Sequence, residues 1–156
     1  MKQNLLRRIL FKSMLALLVL PMLLSTSYEK KKDDSFNLYV LITNIRNSNG
    51  RIQLQVFRNQ DEFSTRAKFR QYYVDKKKMK DGKVPLKITD LPKGVYGLAL
   101  LDDENKDGDM DYRLLVPTEG FGFSNYYHTG LKKPKFDKFK FNLDSDKKIL
   151  MRVRYM

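Results

Sequence analysis

Residues 91–111 read LPKGVYGLALLDDENKDGDMD, and this stretch decides the fold. Leu91-Pro92-Lys93-Gly94 is a tight turn, because proline pre-sets φ at the second position and glycine closes it. Val95 to Leu101 is a nearly continuous apolar run, the pattern of a strand buried in the middle of a sheet. It empties directly into Asp102 to Asp111, where six acidic residues and one Asn surround Gly108.

Working outward from that strand, the same short-period alternation recurs. Leu38, Val40 and Ile42 alternate with Tyr39, Leu41 and Thr43, and Ile52, Leu54 and Val56 alternate with Arg51, Gln53 and Gln55, which reads as two strands. Asn49-Gly50 between them predicts a hairpin, since type I′ turns need positive φ at both central residues. Asn59 to Phe69 breaks the alternation and predicts a brief helix or crossover, with Asp61 as N-cap and Phe63 pinned onto the core. Tyr72 to Lys83 is read as a strand followed by a turn, and Val84 to Ile88 resumes alternation. Beyond the acidic run, Tyr112 to Val116 reads as a strand, Pro117 to Asn125 as a glycine-punctuated aromatic loop, and Lys138 to Leu143 and Ile149 to Tyr155 as two final strands. Short strands, frequent turns and at most one short helix imply an all-β antiparallel sandwich, immunoglobulin-like or transthyretin-like in outline.

Chemistry concentrates in the acidic run. Read from Asp103 it has the form D-x-N-x-D-G-D-x-D, with oxygen donors at loop positions 1, 3, 5, 7 and 9 and Gly at 6. Calcium takes six to eight oxygens and needs carboxylates at alternating positions around a sharp backbone turn. Asp103, Asn105 and Asp107 are therefore expected as side-chain ligands, Asp109 through its carbonyl, and Asp111 directly or through water. An EF-hand ends in a bidentate Glu at position 12, but Leu114 stands there and the flanks read as strands, so this is a different loop. Glu119 is the nearest later carboxylate that can fold back to close a site. The competing reading is a solvated acidic turn, since Asp, Asn and Gly favour turns for their own local hydrogen bonding.

Composition sets the surroundings. The chain has 156 residues, 31 basic and 18 acidic, and no cysteine, which excludes disulfides, thiolate metal sites and a thiol nucleophile. Basic Lys2, Arg7, Arg8 and Lys12, the apolar stretch Met14 to Leu24, and small Ser25 and Ser27 form the three parts of a secretory signal spanning residues 1–27. The apolar stretch, interrupted by Pro21, falls short of the roughly 20 residues that span a bilayer, so no stable membrane span is expected after signal removal. Four basic residues leave with the signal, and the remainder stays basic at +9. Residues 28–35 read as a flexible lead-in and 36–156 as one domain, secreted or periplasmic, where a weak calcium site meets abundant calcium.

The ordered triplet Leu91 to Tyr96, Asp103 to Asp111 and Pro117 to Asn125 resembles the exported bacterial proteins called domain of unknown function 2141, over roughly residues 36–156. That resemblance implies a secreted β-sandwich and no particular activity. Where the family pattern often has a second Asn this chain has Asp107, which adds negative charge and favours a cation. Where it often has a His this chain has Asp102, so no role of that His carries over.

Other features are weighed against ordinary packing. His128, the one histidine, lies four residues from Ser124, and a small extracytoplasmic hydrolase or carbohydrate-active protein using Glu119 and His128 is the competing function. Phe121, Phe123, Tyr126 and Tyr127 fit core packing better than a ligand platform. Basic clusters at Lys30 to Lys32, Lys76 to Lys78, Lys132 to Lys135 and Lys147-Lys148 suit an anionic envelope lipid, a glycan or another envelope protein, with solvated charge as the default. Nucleic acid is not expected, because no binding motif accompanies the charge. The function read from sequence is a non-enzymatic exported binding or structural module with a weak calcium site and no assigned catalytic residue.

Overall fold

A computed structural model describes residues 34–156. The signal segment and residues 28–33 of the lead-in lie outside the described residues. Ten strands and one short helix follow in order: β1 (Ser35–Thr43), β2 (Arg51–Phe57), α1 (Gln60–Thr65), β3 (Arg70–Val74), β4 (Val84–Pro92), β5 (Gly94–Asp103), β6 (Tyr112–Arg113), β7 (Val116–Pro117), β8 (Gly120–Phe123), β9 (Lys140–Leu143) and β10 (Lys147–Arg152). The fold is all-β and sandwich-like. One sheet has the order β10-β1-β4, the other the order β3-β2-β5-β8 with β9 also on β5, and β6 and β7 form a separate small hairpin.

The apolar run at 95–101 is central, as its composition demands. β2 pairs along one edge of β5 from Gly97 to Asp103, while β9 takes Gly94 to Gly97 and β8 takes Ala99 to Asp102 on the other. Alternation sorts the faces. Leu38, Val40 and Ile42 of β1 pack inward with Leu54, Val56, Leu98, Leu100, Ile149 and Met151, all at most 4 % exposed. Burial of each such side chain is worth about 1.5–3 kcal/mol, which is the main stabilisation available to a chain without disulfides. Phe57 and Phe123 point the other way and join Phe63, Phe136 and Phe139 in a second apolar cluster. Phe63 anchors α1 there, with its ring centroid 4.9 Å from that of Phe139.

Several expectations need correction. β1 and β2 do not form a hairpin: they belong to different sheets, and Asn49-Gly50 carries the chain between them. Gly50 is left-handed at φ +69° but Asn49 is not, so the type I′ geometry is absent. A Cβ on Gly50 would lie 2.0 Å from the Asp103 carbonyl oxygen, which makes this glycine a close-packing requirement. The sheets are not antiparallel throughout, because β1 and β10 run parallel in register from Leu38↔Lys147 to Thr43↔Arg152. The helix N-cap is Asn59, whose side chain accepts from the Glu62 N–H, and not Asp61. The first strand begins at Ser35, and the Asp34 carbonyl already accepts from Lys93 N–H, so the lead-in ends earlier than residue 35.

Tyr112 to Val116 is not one strand. It is a two-on-two hairpin whose turn residues, Leu114 and Leu115, both adopt positive φ, 48° and 69°. Left-handed backbone costs a β-carbon-bearing residue roughly 1–2 kcal/mol. Among the described residues no helix is long and apolar enough to cross a membrane.

Candidate functional site

The acidic loop does not hang free between strands. It folds back over β2, and two β2 side chains hold it there: Gln53 Nε2 donates to the Gly108 carbonyl at 3.1 Å and Arg51 Nη2 to the Lys106 carbonyl at 3.1 Å. Gln53 faces away from the inter-sheet core, yet this cover leaves it only 3 % exposed. Gly108 stands at φ +92°, the conformation for which position 6 needs glycine. Successive side-chain-to-backbone bonds shape the turn, with Asp107 N–H donating to Asn105 Oδ1 and Asp109 N–H to Asp107 Oδ1, both at 3.0 Å.

Within this frame the predicted residues take distinct positions. Asn105 Nδ2 donates to Asp107 Oδ2 at 2.9 Å and to Asp111 Oδ2 at 3.0 Å, so one amide draws two carboxylates together. Asp107 is held below the usual carboxylate range, first by the Asp109 backbone N–H and then by the Asn105 amide. Glu119 does fold back. Its Oε1 accepts from Glu104 N–H at 2.8 Å and its Oε2 from Asp111 N–H at 3.4 Å, which clamps both ends of the loop. Burial raises Glu119 above the ordinary glutamate value, those two N–H bonds oppose the shift, and the charges of Asp111 and Asp103 reinforce it.

Asp103 lies at the head of the loop and is fully buried. Its Oδ2 accepts from Arg51 Nε at 2.8 Å, whereas its Oδ1 is buried with no hydrogen-bond partner. An unmatched buried oxygen of this kind costs about 1–3 kcal/mol, more when charged. The Asp109 side chain turns outward toward Arg66 at 3.4 Å and is 80 % exposed, leaving its backbone carbonyl for the loop. Among the described residues no group of three carboxylate or imidazole side chains is already drawn together closely enough to hold a metal ion.

A second network underlies the loop, and sequence reading missed it. Asp102 points inward, where Lys76 Nζ meets its Oδ1 at 2.5 Å and the Tyr155 hydroxyl its Oδ2 at 2.5 Å. The Lys76 and Asp102 side chains are both wholly removed from solvent, so Lys76 is not part of a surface basic cluster. Burial raises Asp102, partly offset by these two donors, and burial with the Asp102 bond raises Tyr155 beyond the range in which it ionises in water. Arg46 completes the base by pairing with Glu104 at 2.7 Å and stacking 4.4 Å above the Tyr155 ring. Alternation along β5 carried the signal, because Asp102 shares a face with Leu98 and Leu100.

A family model described as an uncharacterized protein conserved in bacteria, DUF2141, matches residues 40–150. The chain belongs to the DUF2141 family. No curated protein and no solved structure matches it. The DUF2141 match takes in the acidic loop, the Leu114-Leu115 hairpin and Glu119 together.

The residues of the competing hydrolytic reading are used elsewhere in this DUF2141 chain. Ser124 is buried, donates its hydroxyl proton to the Phe139 carbonyl at 2.6 Å, and accepts from Leu98 N–H at 2.9 Å. His128 Nε2 lies 2.7 Å from the Lys132 carbonyl, which fixes the proton on that nitrogen, and Nδ1 faces the Tyr126 hydroxyl at 3.4 Å. Ser124, His128 and Glu119 share no hydrogen bond. Phe123 is core, and Phe121 and Tyr126 pack against the same phenylalanine cluster, while Tyr127 is half exposed under Arg152.

Proposed function

We propose that this protein is an exported, non-enzymatic binding or structural module whose acidic loop takes one calcium ion weakly. The observation that carries the reading is the buried, unpartnered Oδ1 of Asp103 at the head of a loop whose two ends are clamped by a second buried carboxylate, Glu119. Arg51 pairs with the other oxygen of Asp103, so what is left over is one buried carboxylate oxygen without a donor, and a cation would satisfy it. Asp103, Asn105, Asp107, Asp111 and Glu119 would supply side-chain oxygens and Asp109 its carbonyl, all hard donors suited to calcium. Binding requires the Asn105 amide to give up its shared donation to Asp107 and Asp111, a modest rearrangement of an exposed side chain.

An affinity typical of extracellular modules, with Kd on the order of 10⁻⁴ to 10⁻³ M, stabilises the fold by about 0.4–1.4 kcal/mol at millimolar calcium. Such an ion fixes the loop and the hairpin that follows it; the apolar core folds the domain. Thermal melting in calcium against chelator tests this, with a rise of about 1–6 °C expected and none for Asp107→Ala, an exposed position whose loss leaves the core intact. A wild-type Tm that does not move over millimolar calcium overturns the reading.

A further inference from the structure

The hairpin that leaves the acidic loop ends in the two most exposed large apolar residues of the described chain, Leu114 at 91 % and Leu115 at 93 %. Beside them stands Leu131 at 87 %, on the separate segment that follows His128, and Leu115 and Leu131 line one cleft of about 230 Å³. We propose that this end of the molecule docks on a lipid bilayer carrying anionic head groups, with Leu114, Leu115 and Leu131 inserted among the acyl chains. The inference goes beyond the calcium reading and does not rest on it.

Three observations lead there. The first is conformational: a turn with both central residues left-handed is served best by Asn-Gly, yet here two leucines occupy it and touch no core. Both accept backbone strain in order to project apolar side chains outward, and strain of this sort marks a contact made outside the chain. The second is charge. The two segments that carry the leucines, residues 112–118 and 126–136, contain Arg113, Lys132, Lys133 and Lys135 and not one carboxylate. None of these four cations enters an ion pair among the described residues; Lys133 is turned onto the Phe63 ring and carbonyl, which leaves Arg113, Lys132 and Lys135 for lipid phosphates. The acids that flank the two segments are Asp111, Glu119 and Asp137, of which Glu119 is buried and Asp137 is paired with Lys140, while Asp109 is paired with Arg66.

The third observation is shape, and it chooses among occupants. Side chains that protrude singly from loop tips need no matching cavity in a bilayer, whereas a protein partner must supply one for each. A closed two-fold dimer through this patch would bring two rims that both carry Arg113, Lys132 and Lys135 and no carboxylate into one interface, so that like charges meet. A bilayer meets both requirements at once: hydrocarbon for the leucines and phosphate for the cations immediately beside them.

Vesicle co-sedimentation of the full chain, on phosphatidylcholine alone and on phosphatidylcholine mixed with phosphatidylglycerol, tests the proposal in calcium and in chelator. Binding is expected to the mixed vesicles and to fall at least about tenfold in the double variant Leu114→Asn/Leu115→Gly, given the apolar area withdrawn. Because Asn-Gly suits the turn, the variant's Tm should hold or rise, which separates lost docking from lost folding. The chain has no tryptophan. Leu115→Trp therefore gives a single reporter whose emission should shift to the blue on mixed vesicles, while Leu41→Trp on the other sheet should not shift. Absence of vesicle binding in both media, retention of binding by the Asn-Gly variant, or a shift at position 41 and not 115 would each overturn the proposal. So would a concentration-dependent dimer that the Asn-Gly variant abolishes, found without vesicle binding. Binding that persists in chelator sustains it whether or not the loop takes calcium.

Discussion

Lys76 and Asp102 form an ion pair 2.5 Å long with neither side chain reaching solvent, directly beneath the loop that carries the candidate calcium ligands. Asp75 caps the 3-10 turn that swings Lys76 inward, and the Tyr155 hydroxyl satisfies the second oxygen of Asp102. Breaking a buried pair by removing one partner leaves the other charge without compensation, typically at 3–5 kcal/mol. Lys76→Ala should therefore lower stability by about 3–5 kcal/mol in urea titration, and the double variant Lys76→Met/Asp102→Leu should recover much of it. A Lys76→Ala loss well under about 1 kcal/mol would mean that the pair is already hydrated.

Glu119 gives the fold a pH dependence of defined sign. Its pKa is raised on folding, so between the ordinary glutamate value and the higher folded one the native state holds a proton that the unfolded chain has released. Calcium-free stability is thus highest at the acid side of that window and declines as pH rises through it. Asp102 contributes in the same direction. Glu119→Gln should flatten part of the decline in chelator, as read from Tm against pH, and should also remove the calcium-dependent rise at neutral pH.

Gly50 couples the inter-sheet connection to the acidic loop through a backbone contact with Asp103. Gly50→Ala must accept both a left-handed alanine and a Cβ overlapping the Asp103 carbonyl, at a cost of at least about 2 kcal/mol. The midpoint of urea unfolding should fall accordingly, and on the proposed function calcium stabilisation should weaken with it, because the displaced backbone bears Asp103, the buried candidate ligand.

Phe63 is the one buried residue of α1 and packs edge-on against Phe57, Phe123 and Phe139. Phe63→Ala should destabilise the domain by about 3–5 kcal/mol and free the helix from β2, detectable as faster amide exchange across residues 60–65.

Local pattern places β1, β2, β5 and β9 to within two residues at either end, through apolar side chains at every second residue in β1, β2 and β9 and through a nearly continuous apolar run in β5. Glu119 stands out in the sequence as the nearest later carboxylate, but its position over the Glu104 and Asp111 amides is not readable from sequence alone. Pairing is hidden as well. β10 lies 109 residues beyond its β1 partner, and nothing in either strand's own pattern names the other. Asn49-Gly50 misleads for the same reason, since a turn signal cannot report whether the chain returns to its own sheet or crosses to the next. Lys76 is indistinguishable from Lys77 and Lys78 by composition, and only the cap at Asp75 selects which of them turns inward. The Leu114-Leu115 turn is invisible because it contradicts turn preference.

The parallel seam between the first strand and the last has a consequence for how the chain is made. Through the synthesis of everything between them, β1 carries one unfilled row of amides and carbonyls, and such a row is a template for a neighbouring molecule's strand. Slow, long-range closure prolongs that exposure. The nascent protein is thus at its most vulnerable to self-association before Lys147 has emerged, and a chain cut short at that point would precipitate with its siblings sooner than it would fold.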